Sequence, residues 1–431
     1  LDATEGNQRM NRPSELLFSS AHVDITPSTP IPLAGYMHRT SPFTSSSGRL
    51  EINGVRFASH ELEVIILSLD ALFCGDLEGE IAARVTGTPR LLLLASHTHY
   101  APSLDRKRHN LGIFTAGYID EVVTAAVRLI ETLRKEASAI KSVGTATSEN
   151  AAAFAISRRG PRFRIARRWP FIRREMCLAP ALKRQIDTRL SALAITTEDN
   201  DTPAVLWNWA CHPVSAADPL SLSSAFPGAA REGLRETLGQ KASVVFCQGF
   251  TGDIRPRFLG RIPKPMDLVT GFPGPYFREP DQNTYDRFLS GVTSVLTNSL
   301  KAVRFGEAIT QLSYTRTKLA LSSIAGDGAE GDLTFDHLQI AGALNLVCIS
   351  AEPFNSYGQL IRNIFGDDAW PVGYSGDVFG YLPDNRAIGE GGYEVVGFRP
   401  IFGFSGQFLP DTEDRIGTAL RALKEAKPYS S

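Results

Sequence analysis

In Leu91-Leu92-Leu93-Leu94-Ala95-Ser96-His97-Thr98-His99 a short, wholly apolar run, Leu91–Ala95, is followed by two histidines. A run that brief and that apolar reads as a fully buried strand. Side chains along a strand alternate faces, so residues two apart point the same way. On that reading two imidazoles leave one strand end side by side. Buried imidazoles need partners, and the commonest for such a pair is a metal ion. Two hydrogen-bonded structural histidines would leave the same pattern.

The motif recurs along the chain. Ala204–Cys211 runs into His212-Pro213, Ser243–Cys247 into Gln248-Gly249-Phe250-Thr251-Gly252-Asp253, and Leu344–Ser350 into Ala351-Glu352-Pro353. With Leu62–Leu69 and Leu91–Ala95, these runs are the predicted strands. Amphipathic stretches at Tyr118–Lys135, Pro227–Leu238, Asp286–Val303, Ser356–Ile364 and Thr412–Ala426 are the predicted helices. The alternation predicts an α/β protein: a single large domain of buried mixed β-sheets flanked by helices. In such sheets ligands bind beyond the carboxyl ends of strands. His97, His99, His212, Asp253 and Glu352 all fall at such ends. Two or three imidazoles and one carboxylate make a plausible catalytic zinc shell with a position left for water.

The chain's 431 residues carry a net charge of −1, which gives no general attraction to nucleic acid. No apolar run approaches the ~20 residues that span a bilayer. Five cysteines, with no Cys-x-x-Cys pair, read as buried free thiols and favour a cytoplasmic setting. The chain opens on Leu1 and shows no secretory signal; export through a processed N-terminus stays open. Residues 1–15 are polar and predicted to be flexible, so the domain is expected over 16–431. The Pro- and Gly-rich stretch Gly260–Arg278 reads as an excursion from that domain.

One segment departs from the average. Arg158–Arg174 holds eight arginines interleaved with Phe163, Ile165, Trp169, Phe171 and Ile172, and the first acid is Glu175. A solvated loop with snorkelling arginines accounts for it. So does a basic-aromatic flap, over about 157–185, that makes transient contact with a membrane surface or meets an acidic substrate.

These residues resemble a known family. His97-Thr98-His99-Tyr100-Ala101-Pro102 is similar to the Thr-His-Thr-His-Ser-Gly-Pro signature of the neutral (alkaline, non-lysosomal) ceramidases. Asn208–Pro213 resembles their Asn-Phe-Ala-x-His segment, Gln248–Pro256 their Gln-x-Asn-x-Gly-Asp-x-Ser-Pro element, and Ala351–Phe354 their Pro-Gly-Glu-Phe element. Tyr381 and Tyr393 lie twelve apart, with Glu394 following, as in the family. His22–Pro27 and Gly35-Tyr36 match its opening. The resemblance runs from about Leu17 to Lys427 and is expected to cover the family's catalytic domain without its C-terminal β-sandwich. Each motif is weak alone, but their order is specific.

The resemblance implies an αββα arrangement and a zinc amidase with one Zn2+ per chain. It implies His97, His212, Glu352 and Tyr381 as ligands, His99 beside the attacking water, and Tyr393 and Arg158 at the amide oxygen. Arg159 is the alternative to Arg158. Asp253 is expected to orient ligands. Where the family has serine this chain has Arg255, and Arg257 follows Pro256. Cations there suit a substrate carboxylate, phosphate or sugar acid. The implied substrate is ceramide or a related N-acyl lipid; an acylated amino sugar or amino acid is the alternative. A barrel amidohydrolase, which also uses His-x-His, and a non-catalytic homologue are the remaining readings.

Overall fold

The computed structural model describes residues 16–37, 39–165, 172–260, 275–307 and 311–430. The predicted flexible segment 1–15, residues 166–171 of the arginine-rich stretch and most of the Gly260–Arg278 excursion lie outside them.

Every strand and helix read from the sequence is present, with small shifts of boundary. The strands are Glu63–Leu69, Arg90–Ala95, Asn200–Trp209, Val244–Gln248 and Leu344–Ile349. The helices are Ala116–Lys135, Ala225–Leu238, Gln282–Lys301, Ser356–Phe365 and Thr412–Glu425. Helix Ala116–Lys135 forms because its apolar residues recur at helical spacing. Ile119, Val122, Val123, Ala126, Ile130 and Leu133 make one buried stripe. Helix Gln282–Lys301 starts where the Asp281 carboxylate accepts the Thr284 N–H at 2.8 Å.

Two sheets carry the fold. Among the described residues, the larger has nine strands. Its main path runs Val244–Gln248, Asn200–Trp209, Leu190–Thr197, Ser138–Ser148, Leu17–Asp24, Glu51–Ala58, Glu63–Leu69, Arg90–Ala95. The smaller has five, in the order Trp370–Val372, Leu344–Ile349, Asp332–Ile340, Leu312–Ala320, Tyr429–Ser430. Both are mixed. Parallel pairing joins Glu63–Leu69 to Arg90–Ala95, Asn200–Trp209 to Val244–Gln248, and Leu344–Ile349 to Trp370–Val372. This is not the closed parallel barrel of the rival amidohydrolase reading. Val64, Ile66, Leu92, Leu94, Leu206 and Val245 of the large sheet meet Leu338, Leu346 and Val372 of the small one in a buried inner layer. Helices cover the outer faces. The layers are αββα.

The large sheet curls until its ends meet. Val244–Gln248 lies against Glu63–Leu69 and Arg90–Ala95 from the far end of the strand order. Ser68 Oγ donates to the Phe246 carbonyl at 2.7 Å across that seam. Chain leaving the small sheet fills the rest: Gly373 N–H donates to Gln248 O at 2.9 Å, and Gly376 N–H to Leu93 O at 2.8 Å. The carboxyl ends of all three parallel pairs therefore converge.

Leu94 is fully buried in the layer between the sheets. Leu94→Ala is expected to cost roughly 2–5 kcal/mol in urea unfolding. A loss below about 1 kcal/mol would contradict this packing.

Candidate metal centre

His97-Thr98-His99 does not continue the strand. The strand stops at Ala95, and His97 takes a left-handed φ of 62°. Strand alternation is therefore not what pairs the histidines. The chain turns after the strand, and the two rings meet edge-on with centroids 4.9 Å apart. Thr98 Oγ1 pins the turn by donating to Ser223 O at 2.8 Å.

Carbonyl groups decide which imidazole nitrogen carries the proton. His97 Nδ1 lies 2.9 Å from Leu72 O, and His212 Nδ1 lies 3.1 Å from Thr251 O. A carbonyl only accepts, so each Nδ1 holds the hydrogen and each Nε2 presents a lone pair. Those two Nε2 atoms are 2.9 Å apart. His99 Nε2 stands 3.4 Å from His97 Nε2, and Glu352 Oε2 stands 3.5 Å from it. Burial holds His97 down to about 3, and His99 and His212 well below the usual histidine range. The rings are neutral, so no proton on either Nε2 relieves the facing lone pairs. A cation does, and imidazole nitrogens with a carboxylate suit zinc. The ligand atoms of His97, His99 and His212 all lie within 4.8 Å of one another. The residues fit the implied metal.

Glu352, beside His97, sits opposite Tyr381 in a short parallel bridge, and the Tyr381 hydroxyl hydrogen-bonds the Glu352 carboxyl. Burial pushes the Glu352 carboxyl up to about 8, against the opposing pull of Arg158. Tyr381 Oη accepts from Arg158 Nη2 at 2.9 Å. Arg158 also donates to Gly252 O at 2.9 Å and to Glu394 Oε1 at 3.0 Å. Burial opposes its charge, but Tyr381, Glu394 and Glu352 outweigh that and hold it firmly protonated.

Arg158 and Arg159 take different partners. Arg159 donates instead to Glu394 Oε2 at 2.9 Å and to Gly391 O at 2.7 Å, away from Tyr381. Tyr393 packs edge-on against Tyr381, centroids 5.8 Å apart, and burial pushes its phenol up to about 12. Asp253 Oδ1 accepts the Asn355 N–H at 2.8 Å, and its carbonyl accepts the Arg158 N–H at 2.8 Å. It ties together the loops that carry Arg158 and Glu352. Arg255 and Arg257 diverge. Arg255 donates to Ser215 Oγ and stacks on Phe277, while Arg257 is exposed.

Sequence reading missed three contributors. Tyr374 stacks on His97 at 4.2 Å and shares a 2.6 Å hydrogen bond with Thr251 Oγ1. Glu394, noted only as Tyr393's neighbour, clamps both arginines. Gly35 has φ +103°, and a Cβ there would stand 2.5 Å from His99 Nδ1. No residue pattern marks Tyr374. Gly35 was visible only as part of the opening match.

No family model matches the chain, and no curated sequence does. Solved structures do. Neutral ceramidase from Pseudomonas aeruginosa matches with a TM-score of 0.67 at 14% identity, over 96% of this chain and 75% of that one. The fold is that of the neutral ceramidases. A ceramidase complexed with C2 matches likewise, with a TM-score of 0.65 at 13% identity, over 96% of this chain and 76% of that one. On this ceramidase fold the histidine group stands where the sheet ends meet.

Gly35→Ala is expected to shift the ring resonances of His99 and leave those of His97 and His212 in place, read by histidine-selective NMR. No shift would show that Gly35 does not set His99. Glu394→Gln removes charge from a carboxylate shared by two buried guanidiniums. It should cost about 3–5 kcal/mol in denaturant unfolding, and a loss under about 1 kcal/mol would contradict the clamp.

Proposed function

We propose that this chain is a zinc-dependent amidohydrolase that cleaves an N-acyl amide, with ceramide or a related N-acyl sphingoid lipid as substrate. The observation that carries the reading is the pair of neutral imidazoles with Nε2 lone pairs 2.9 Å apart, beside Glu352 and the Arg158–Tyr381 pair, on the ceramidase fold.

His97, His212 and Glu352 would hold the ion, with Tyr381 as the fourth donor. Zinc bound there supplies Lewis acidity that makes water nucleophilic near neutral pH. His99 is the one partly exposed imidazole of the three, so it faces the approach to the site. Its neutral Nε2 accepts a proton from the attacking water and returns it to the departing amine nitrogen. Negative charge gathers on the amide oxygen as the carbonyl becomes tetrahedral. The Arg158 guanidinium, fixed by Glu394 and the Gly252 carbonyl, and the Tyr393 hydroxyl are the donors assigned to that oxygen. One such preorganised donor is worth roughly 3–4 kcal/mol in the transition state. Asp253 keeps Arg158 and Glu352 in register.

Lipid as substrate agrees with the surface around the centre. Tyr36, which packs edge-on against His99, and Met37 are 38% and 46% exposed. We assign transient membrane contact to the basic hairpin Arg159–Ile165 and Ile172–Leu178. One observation favours the second substrate reading. Arg255 Nε is buried without a hydrogen-bond partner among the described residues, as an acid-bearing amide would require.

The test is release of fatty acid from labelled ceramide and from N-acyl amino acids. Turnover of ceramide should vanish on chelation, return with zinc, and be absent in His212→Ala. Arg158→Lys should lower turnover about 10²–10³-fold. Turnover of N-acyl amino acids alone would move the substrate to the second reading. Activity that survives both chelation and His212→Ala would overturn the proposal.

A further inference from the structure

Arg158 and Arg159 are neighbours in sequence but serve opposite sides of Glu394. Arg158 faces the metal centre. Arg159 lines a separate cavity of about 780 Å³. Its other cations are Arg162, Arg174, Lys183, Arg184 and Arg386, and Asp384 is the one acid among its lining residues.

Part of that positive charge is spent on the protein: Arg386 Nε donates to Glu390 Oε1 at 2.8 Å and Arg159 to Glu394 Oε2 at 2.9 Å. Asp384 is already engaged: its carboxylate accepts Ser356 Oγ at 2.7 Å and the Ala387 N–H at 2.7 Å. Arg184 meets Asp253, Asp384 and Glu390 only at 3.7 to 3.9 Å, beyond hydrogen-bond reach. Arg159 is 1% exposed, yet its Nε has no hydrogen-bond partner among the described residues. Arg162, Arg174 and Lys183 make no ion pair among the described residues; Arg162 donates only to the Pro161 and Pro275 carbonyls. Holding like charges together costs energy unless a counter-charge arrives. A buried guanidinium with an unused donor and three unpaired cations, all lining one cavity, form a receptor for a compact anion. Guanidinium forks pair bidentately with phosphate oxygens, as they do with carboxylates.

We infer that this cavity binds a phosphate-type anion, either a soluble phosphate ester or the phosphodiester of a lipid headgroup. Leu178 and Leu182, 53% and 56% exposed, are close by in the chain; Leu182 itself lines the cavity. They would meet acyl chains if the ligand is a headgroup. The site stands apart from the metal centre, and the inference holds whether or not that centre hydrolyses an amide.

The test compares wild type with Arg174→Glu/Lys183→Glu, both exposed and unpaired, and with Lys135→Glu/Lys301→Glu, an equal charge change on exposed helix ends elsewhere. Binding of inorganic phosphate and glycerol 3-phosphate is read by calorimetry. Binding to phosphatidylcholine vesicles, with and without phosphatidylglycerol, is read by co-sedimentation. Saturable binding that Arg174→Glu/Lys183→Glu weakens about tenfold or more, and the other pair leaves intact, is the expected result. Selective loss with the soluble esters alone identifies a soluble ligand; selective loss on phosphatidylglycerol vesicles identifies a headgroup. Absence of binding to every probe, or equal weakening by both pairs, would overturn the inference.

Discussion

Two imidazole nitrogens held 2.9 Å apart with their lone pairs forward repel each other unless a cation lies against both. Neither ring can turn away. The carbonyls of Leu72 and Thr251 hold the far nitrogens, and each carbonyl comes from a loop that follows a buried strand. His97 and His212 lie near opposite ends of the large sheet's strand order, so the pair exists only because the sheet curls. The curl is in turn held by the Ser68–Phe246 bond and by the chain from Gly373 to Gly376, which seats the small sheet's end between the two edges. The packing of the αββα layers and the geometry of the centre are thus one constraint.

Charge is partitioned by the same loops. Glu394 is 2% exposed and accepts from two consecutive arginines. A buried carboxylate between two guanidiniums leaves one net positive charge to be shared. Arg158 directs its share to Tyr381 and the metal centre, Arg159 to the basic cavity behind. Asp253 fastens the backbone that makes this division, since its carbonyl holds Arg158 and its carboxylate holds Asn355 beside Glu352.

The sequence made legible those parts of the fold that bury both faces of a strand. Leu91–Ala95, Val244–Cys247 and Leu346–Ile349 are continuous apolar runs because each lies in a parallel pair deep in the molecule. Leu17–Asp24, Ser138–Ser148 and Asp332–Ile340 are antiparallel strands with mixed exposure, and no continuous run marks them. The candidate site was legible because strand-end residues are few and chemically distinct: His97, His212 and Glu352 come together, with Asp253 tied to the loop beside Glu352. The grouping of His97 with His99 was read correctly for a reason the structure replaces, a left-handed turn in place of strand alternation. Tyr374 and Glu394 were not legible as contributors, because what they contact is set by the tertiary fold and not by spacing. The role of Gly35 depends on a ring that arrives from more than sixty residues away.

The most direct measurement is metal stoichiometry after equilibrium dialysis against zinc, for wild type and His97→Ala, with folding of both followed by circular dichroism. One zinc per chain in wild type, lost in the folded variant, is the predicted result. Folded wild type that takes up no zinc, or a folded His97→Ala that takes up as much, would contradict the account of the facing imidazoles.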